Sequence, residues 1–196
     1  YVFIQGCFAT MKEKPRVLMD DAMGGYLITK YLIDTGHKSI IGVFKSDDIQ
    51  GQNRHKGYVK ALQEAGIPYE PDHVIWFYTE DRRVHPYDGI CRLVQKQAAM
   101  DSVVCYNDQI AMKVIQALQD MGKRVPEDIS VTGYDNSFMA AGDGFHLTTI
   151  VHPQEKLGEM AAELLLDLIH HREGLESEQI LIEPELVIGN SCLDRR

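Results

Sequence analysis

No stretch of about eighteen consecutive apolar residues occurs anywhere in this sequence of 196 residues, so nothing in it reads as a membrane-spanning helix. Clustered basic charge is missing too. Twenty Lys and Arg stand against 29 Asp and Glu, a net charge of −9. No basic run exceeds pairs such as Arg82-Arg83 and Arg195-Arg196. A protein that neutralises many phosphates presents a basic face, so this chain alone is expected to bind nucleic acid poorly. Its four cysteines, Cys7, Cys91, Cys105 and Cys192, include no Cys-x-x-Cys pair. Cys91 and Cys105 sit in apolar stretches where a free thiol acts as a small hydrophobe, which suits a reducing, cytoplasmic setting. Catalytic signatures are lacking as well. There is no Gly-x-x-x-x-Gly-Lys-Ser/Thr phosphate loop, no Gly-x-Ser-x-Gly elbow and no His-Glu-x-x-His helix. The expectation is a protein that is not an enzyme and needs no cofactor or metal. The opening Tyr1-Val2-Phe3-Ile4 reads like the inside of a strand, as if the chain were cut from a longer one.

What is present is a foldable α/β pattern. Hydrophobic residues make up 44% of the chain, enough for a real core. Short β-rich apolar runs at 16–19, 40–44, 74–77, 102–106, 129–133 and 147–151 alternate with helical patterns, the signature of βαβ units around a parallel sheet. The helix after the fourth run carries Ala111, Val114, Ile115 and Leu118 on one stripe and stops at Gly122. A first helix is expected over 23–34. A long last helix should follow Pro153, with Leu157, Met160, Ala161, Leu164, Leu165 and Leu168 inward. A final strand pair covers 180–182 and 185–188.

In open parallel sheets, ligands bind beyond the carboxyl ends of the strands. Those ends carry Asp20 and Asp21, Lys45 to Asp48, Tyr78 to Glu80, Asn107 and Asp108, Asp135 and Asn136, and His152. Carboxylates and amides suit a sugar, whose hydroxyls both donate and accept. Each residue also has a plainer reading. Asn107 and Asp108, like Asp20 and Asp21, equally suit helix caps. Asp135 and Asn136 suit an Asx turn, and His152 the approach to a helix. Arg54, near a helix start where it opposes the dipole, is either a ligand contact or a solvated side chain. Trp76 is a core residue or a platform for a sugar face. The case for a site rests on their sharing one rim.

Val104-Cys105-Tyr106-Asn107-Asp108-Gln109-Ile110-Ala111, followed by Gly122-Lys123-Arg124-Val125-Pro126-Glu127-Asp128-Ile129-Ser130-Val131-Thr132-Gly133-Tyr134-Asp135-Asn136, resembles the effector-binding domain of the lactose/galactose-repressor family. So do Asp20-Asp21-Ala22-Met23-Gly24-Gly25, Gly36-His37, Arg54-His55-Lys56-Gly57-Tyr58 and Leu147-Thr148-Thr149-Ile150, in matching order and spacing. Lys45-Ser46-Asp47-Asp48-Ile49-Gln50-Gly51 and Glu183-Pro184-Glu185-Leu186 are most similar to the arabinose repressor branch.

The resemblance implies a periplasmic-binding-protein-like fold of type I, with two Rossmann-like lobes, parallel sheets and ligand between them. It places 1–38 and 152–178 in a partial N-terminal lobe, and 39–151 with 179–196 in the C-terminal lobe. The winged-helix DNA-binding domain of that branch is absent from the sequence. The implied function is the ligand-sensing part of a repressor of sugar-utilisation genes, with L-arabinose as effector. Operator DNA would be reached only through the missing module, and the working form would be a homodimer. The ligand-binding residues implied by position are Arg54, Asn107, Asp135 and His152, with Lys45, Asp20 and Tyr78 as strand-end candidates. The rivals are a periplasmic sugar-binding protein of an ABC transporter and, more distantly, a glycosidase on the same fold.

Overall fold

The computed structural model describes residues 1–6, 11, 13–142, 144–170, 174–175 and 178–196, so Cys7 lies outside the described residues. The chain forms two compact units, Tyr1–Asp20 with His152–Pro184, and Asp21–Val151 with Glu185–Arg196.

The larger unit is built on a parallel sheet. Its strands are β3 (Ile40–Lys45), β4 (Val74–Phe77), β5 (Ser102–Cys105) and β6 (Ser130–Thr132), in the order β4-β3-β5-β6. (β1 and β2 belong to the smaller unit.) Beyond β6 a parallel bridge joins Thr132 to Thr148, and β9 (Thr149–Val151) pairs antiparallel with β11 (Glu185–Val187). A short hairpin, β7 (Ala141–Gly142) and β8 (Phe145–His146), precedes β9.

Strand alternation sorts the side chains. Ile41, Val43, Ile75, Phe77, Val103, Cys105 and Val131 form one core with Ile90 of α3 (His85–Gln95) and the stripe Ile110, Ala111, Val114, Ile115 and Leu118 of α4 (Asp108–Asp120). Each fully buried Ile, Leu or Phe there contributes about 1.5–3 kcal/mol. The alternate residue Phe44 meets Tyr58 of α2 (Ile49–Glu64) at 5.4 Å between rings, and the Tyr58 hydroxyl donates to the Ile40 carbonyl at 2.8 Å. The helix α1 (Asp21–Asp34) lies against α2 so closely that a β-carbon at Gly25 would overlap the Arg54 carbonyl.

In the smaller unit, β1 (Phe3–Ile4), β2 (Arg16–Met19) and β10 (Gln179–Ile182) form a parallel sheet in the order β1-β2-β10. Leu157, Ala161 and Leu164 of α5 (Gln154–Ile169) cover Val17 and Ile182.

The parallel α/β class agrees with the sequence reading, but several details differ. The first helix starts at Asp21 rather than at Met23. Leu165, expected inward, is 38% exposed, because a sheet of three strands needs only the narrower stripe 157, 161, 164. The division of the chain also shifts. Residues 21–38, expected with the partial lobe, pack with the larger unit because α1 is glued to α2. Residues 179–184 join the smaller unit, because β10 pairs with β2 from Gln179↔Arg16 to Ile182↔Met19.

Candidate functional site

The carboxyl ends of the larger unit's strands bring Lys45, Tyr78, Tyr106, Asn107, Tyr134 and Asp135 to one edge. Arg54 reaches that edge from the second turn of α2. It is a cation in the interior, only 4% exposed. A bare buried charge costs several kcal/mol, so the guanidinium must be compensated. Its Nε donates to Asp21 Oδ1 at 2.8 Å and its Nη1 to the Tyr106 carbonyl at 2.6 Å. The faces of Tyr134 and Tyr106 lie 3.5 and 4.8 Å from its central carbon, each offering π density to the cation. Burial works against the charge. Asp21 first, with Tyr134, Asp135 and Tyr106, outweighs it and raises the arginine's proton affinity.

The free edge of Arg54 faces Asp135, with Nη2 at 3.8 Å from Oδ1. Asp135 is about a third exposed and sits at φ +96°, a conformation that L residues other than Gly, Asn and Asp rarely adopt. Asn136 follows at φ +48°. Such strain persists only where neighbours hold it. Here the Asp135 amide donates to the Ile150 carbonyl at 2.8 Å and the Ser137 amide to Asp108 Oδ2 at 2.6 Å. Asp108 is itself 1% exposed and accepts the Thr149 hydroxyl at 2.7 Å on its other oxygen. Burial raises its pKa, while the Ser137 amide and Thr149 hydroxyl favour the carboxylate.

Lys45 is linked to this pair at one remove. Its Nζ lies 2.9 Å from Asp48 Oδ2 and 3.8 Å from Asp47. The same Asp48 oxygen accepts the Tyr106 hydroxyl at 2.7 Å, and Asp48 Oδ1 caps α2 through the Gly51 amide at 2.7 Å. Burial, followed by the hydrogen bond to Asp48, raises the Tyr106 pKa although Arg54 opposes it, so the phenol stays a donor. The edge therefore holds two cations, Lys45 and Arg54, and five carboxylates, Asp21, Asp47, Asp48, Asp108 and Asp135.

The remaining candidates have other partners or belong to the smaller unit. Asn107 caps α4, its Oδ1 accepting from the Ile110 amide at 3.1 Å, so its plainer reading holds for that oxygen. Tyr78 is 55% exposed and its amide donates to Asp81 at 2.7 Å. Trp76 packs its ring 4.7 Å from that of His55, beside Phe44. Asp20 and His152 belong to the smaller unit, where the Asp20 amide donates to Ile182 at 3.0 Å. The Nδ1 of His152 is buried without a hydrogen-bond partner among the described residues.

Tyr106 and Tyr134 are participants that the sequence reading did not put on the rim, and Asp21, Asp48 and Asp108 are on it but were not named as ligand-binding residues. Asp21, Asp48 and Asp108 were visible as strand-end carboxylates. Nothing local distinguished a cap from a partner of an arginine 33 residues away.

Three comparisons bear on this geometry. The periplasmic binding protein-like domain family matches residues 29–192. The arabinose metabolism transcriptional repressor of Halalkalibacterium halodurans is 39% identical over 183 residues, covering 91% of this chain and 49% of that protein. Among solved structures, the transcriptional regulator CelR in complex with cellobiose superposes with a TM-score of 0.86 at 28% identity, covering 97% of this chain and 58% of that one. A LacI family transcriptional regulator from Enterococcus faecium with bound ribose does so with a TM-score of 0.77 at 32% identity, covering 92% and 66%. The chain spans about half the length of the curated relatives it matches.

Proposed function

The chain belongs to the periplasmic binding protein-like domain family, and we propose that it is the effector-sensing part of a cytoplasmic transcriptional repressor of sugar-utilisation genes, with L-arabinose as the effector. Its relatives are transcriptional regulators, and the proposed role is binding without catalysis. The observation that carries the reading is the Arg54–Asp135 pair, a guanidinium edge and a carboxylate 3.8 Å apart. A hydroxyl placed between them can accept from the first and donate to the second, and a neighbouring hydroxyl can repeat the pattern.

The charge balance refines the ligand class. With five carboxylates to two cations, the edge repels a sugar phosphate or uronate and favours a neutral sugar. Asn107, Lys45 and Tyr78 are proposed as further contacts. Binding shifts the population of two conformations, and a DNA-binding module elsewhere in the full-length protein reports the shift to operator DNA.

The working form is proposed to be a homodimer. Met112, Ile115, Val125, Met139 and Phe145 line an open groove of about 430 Å³, and nearby Phe138 is 92% exposed. Apolar surface of that kind is suited to covering by a second copy.

Calorimetric titration of the full-length protein with L-arabinose and a panel of pentoses and hexoses tests the reading. A micromolar sensor corresponds to about −8 kcal/mol. Truncation in Asp135→Ala is expected to cost about 1.5–3 kcal/mol of that, since the lost bonds involve a charge. Binding of another sugar alone would keep the sensor and remove arabinose. Wild-type affinity in Asp135→Ala would remove that residue from the site.

A further inference from the structure

Asp21, Arg54 and Tyr134 form a closed triangle. Asp21 Oδ1 accepts from Arg54 Nε at 2.8 Å, Asp21 also bonds the Tyr134 hydroxyl, and the guanidinium carbon lies 3.5 Å from the centre of the Tyr134 ring. The side chains of Asp21 and Arg54 are 8% and 5% exposed. Space is closed around them. A β-carbon at Gly24, in the first turn of α1, would overlap the Tyr134 hydroxyl. The three corners come from three elements, namely the start of α1, the second turn of α2 and the turn after β6.

Such an arrangement leaves the guanidinium little freedom. Its Nε is taken by Asp21, one Nη1 hydrogen by the Tyr106 carbonyl, and the rings of Tyr134 and Tyr106 lie against it, while Nη2 stands 3.8 Å from Asp135 Oδ1. We propose that Asp21 is a positioning residue for effector binding: it does not touch the sugar, but fixes Arg54 so that its Nη2 edge and Asp135 meet the sugar's hydroxyls as a preformed pair. The inference rests on the effector reading above and adds a residue to it. The thermodynamic logic is preorganisation. An arginine carries several rotatable bonds, and a site that has already ordered them loses less on binding.

Sugar titrations of full-length variants test the assignment. Asp21→Ala removes the acceptor, and L-arabinose affinity is expected to fall by about ten- to a hundredfold, as for other bonds to charged groups. Asp21→Asn keeps an oxygen acceptor in place and should retain most of the affinity. In an Arg54→Lys background, where a cation remains but the Nη2 edge is gone, changing Asp21 should add less than about twofold, because the two act as one unit. A purely structural role for Asp21 predicts losses that multiply. Wild-type affinity in Asp21→Ala, equal losses in the Asn and Ala variants, or multiplying losses in the double variant would each overturn the proposal. Circular dichroism checks folding of each variant, and if Asp21→Ala does not fold, the Asn variant alone and with Arg54→Lys decides. A wild-type protein that binds no sugar at all would instead sink the effector reading.

Discussion

Arg54 and His37 lie at opposite ends of the same sheet, and both are buried, 4% and 1% exposed. One is held as a cation and the other as a neutral ring. Arg54, at the carboxyl edge, has a carboxylate on its Nε and the rings of Tyr106 and Tyr134 against it. His37 precedes β3 at the amino edge and meets mostly dipoles. Its Nδ1 donates to the Leu32 carbonyl at 3.0 Å, which leaves Nε2 to accept the Ser130 hydroxyl at 2.8 Å and Arg195 Nε–H at 3.3 Å. Burial pushes both groups toward neutrality, but the guanidinium, intrinsically above about 12 and beside Asp21, keeps its charge, whereas the imidazole, near 6.5 to begin with, is moved further down. The carboxyl edge keeps a charge that a ligand can use. The amino edge spends its polar groups on the chain's own tail, where Leu193 N–H donates to Ser130 at 3.1 Å and Arg195 reaches the Glu127 and Asp128 carbonyls.

The sharpest way to break the contrast is to remove the cation. Arg54→Ala leaves Asp21 buried without its charge partner, and a broken buried pair costs about 3–5 kcal/mol. Urea unfolding should show a loss of that size together with loss of sugar binding. A midpoint within experimental error of wild type would mean that water solvates Asp21 and that the pair is not truly interior.

The same contrast has a pH signature at the other end. Burial lowers the His37 pKa, opposed by the Leu32 carbonyl and Asp101, while Arg195 lowers it further and Asp194 opposes. The folded pKa is depressed, so the unfolded chain takes up the proton first. The contribution to stability is complete above the unfolded value of about 6.5 and is lost as pH falls from there through the folded pKa. For a single proton the slope cannot exceed about 1.4 kcal/mol per pH unit. A His37→Gln variant should be less stable near neutrality but lack this slope below about pH 6.5. A variant with the wild-type slope would assign the acid sensitivity to another group.

Sequence reading found the two ends unequally. The carboxyl edge was legible because parallel strands deliver their following residues to one side, and Arg54 and Asp135 both fall there. The alternation of strands and helices was legible for the same reason, since burial on both faces leaves short continuous apolar runs such as 102–105. What escaped was pairing at a distance. Asp21 and Asp108 each looked like a helix cap, and each starts a helix, yet their oxygens serve Arg54 and the 135–137 turn. The same limit misplaced α1. Its sequence fits either unit, and only its close contact with α2 puts it in the larger one.

Lys45 offers the gentlest test, as a second cation at the carboxyl edge in a looser setting. Its side chain is 19% exposed and its partner Asp48 18%, against 5% and 8% for Arg54 and Asp21. Asp48 is also served by the Tyr106 hydroxyl and the Gly51 amide, so it is not stranded when the ammonium goes. With water still within reach, the pair is worth about 1 kcal/mol or less. Lys45→Ala should therefore shift the urea midpoint slightly while weakening sugar binding if the ammonium meets a hydroxyl. Raising the salt concentration should shrink the stability difference between Lys45→Ala and wild type, and leave most of the Arg54→Ala difference intact, since screening acts mainly through solvent. Equal salt sensitivity of the two differences would erase the distinction between a desolvated cation and a solvated one on which the comparison depends.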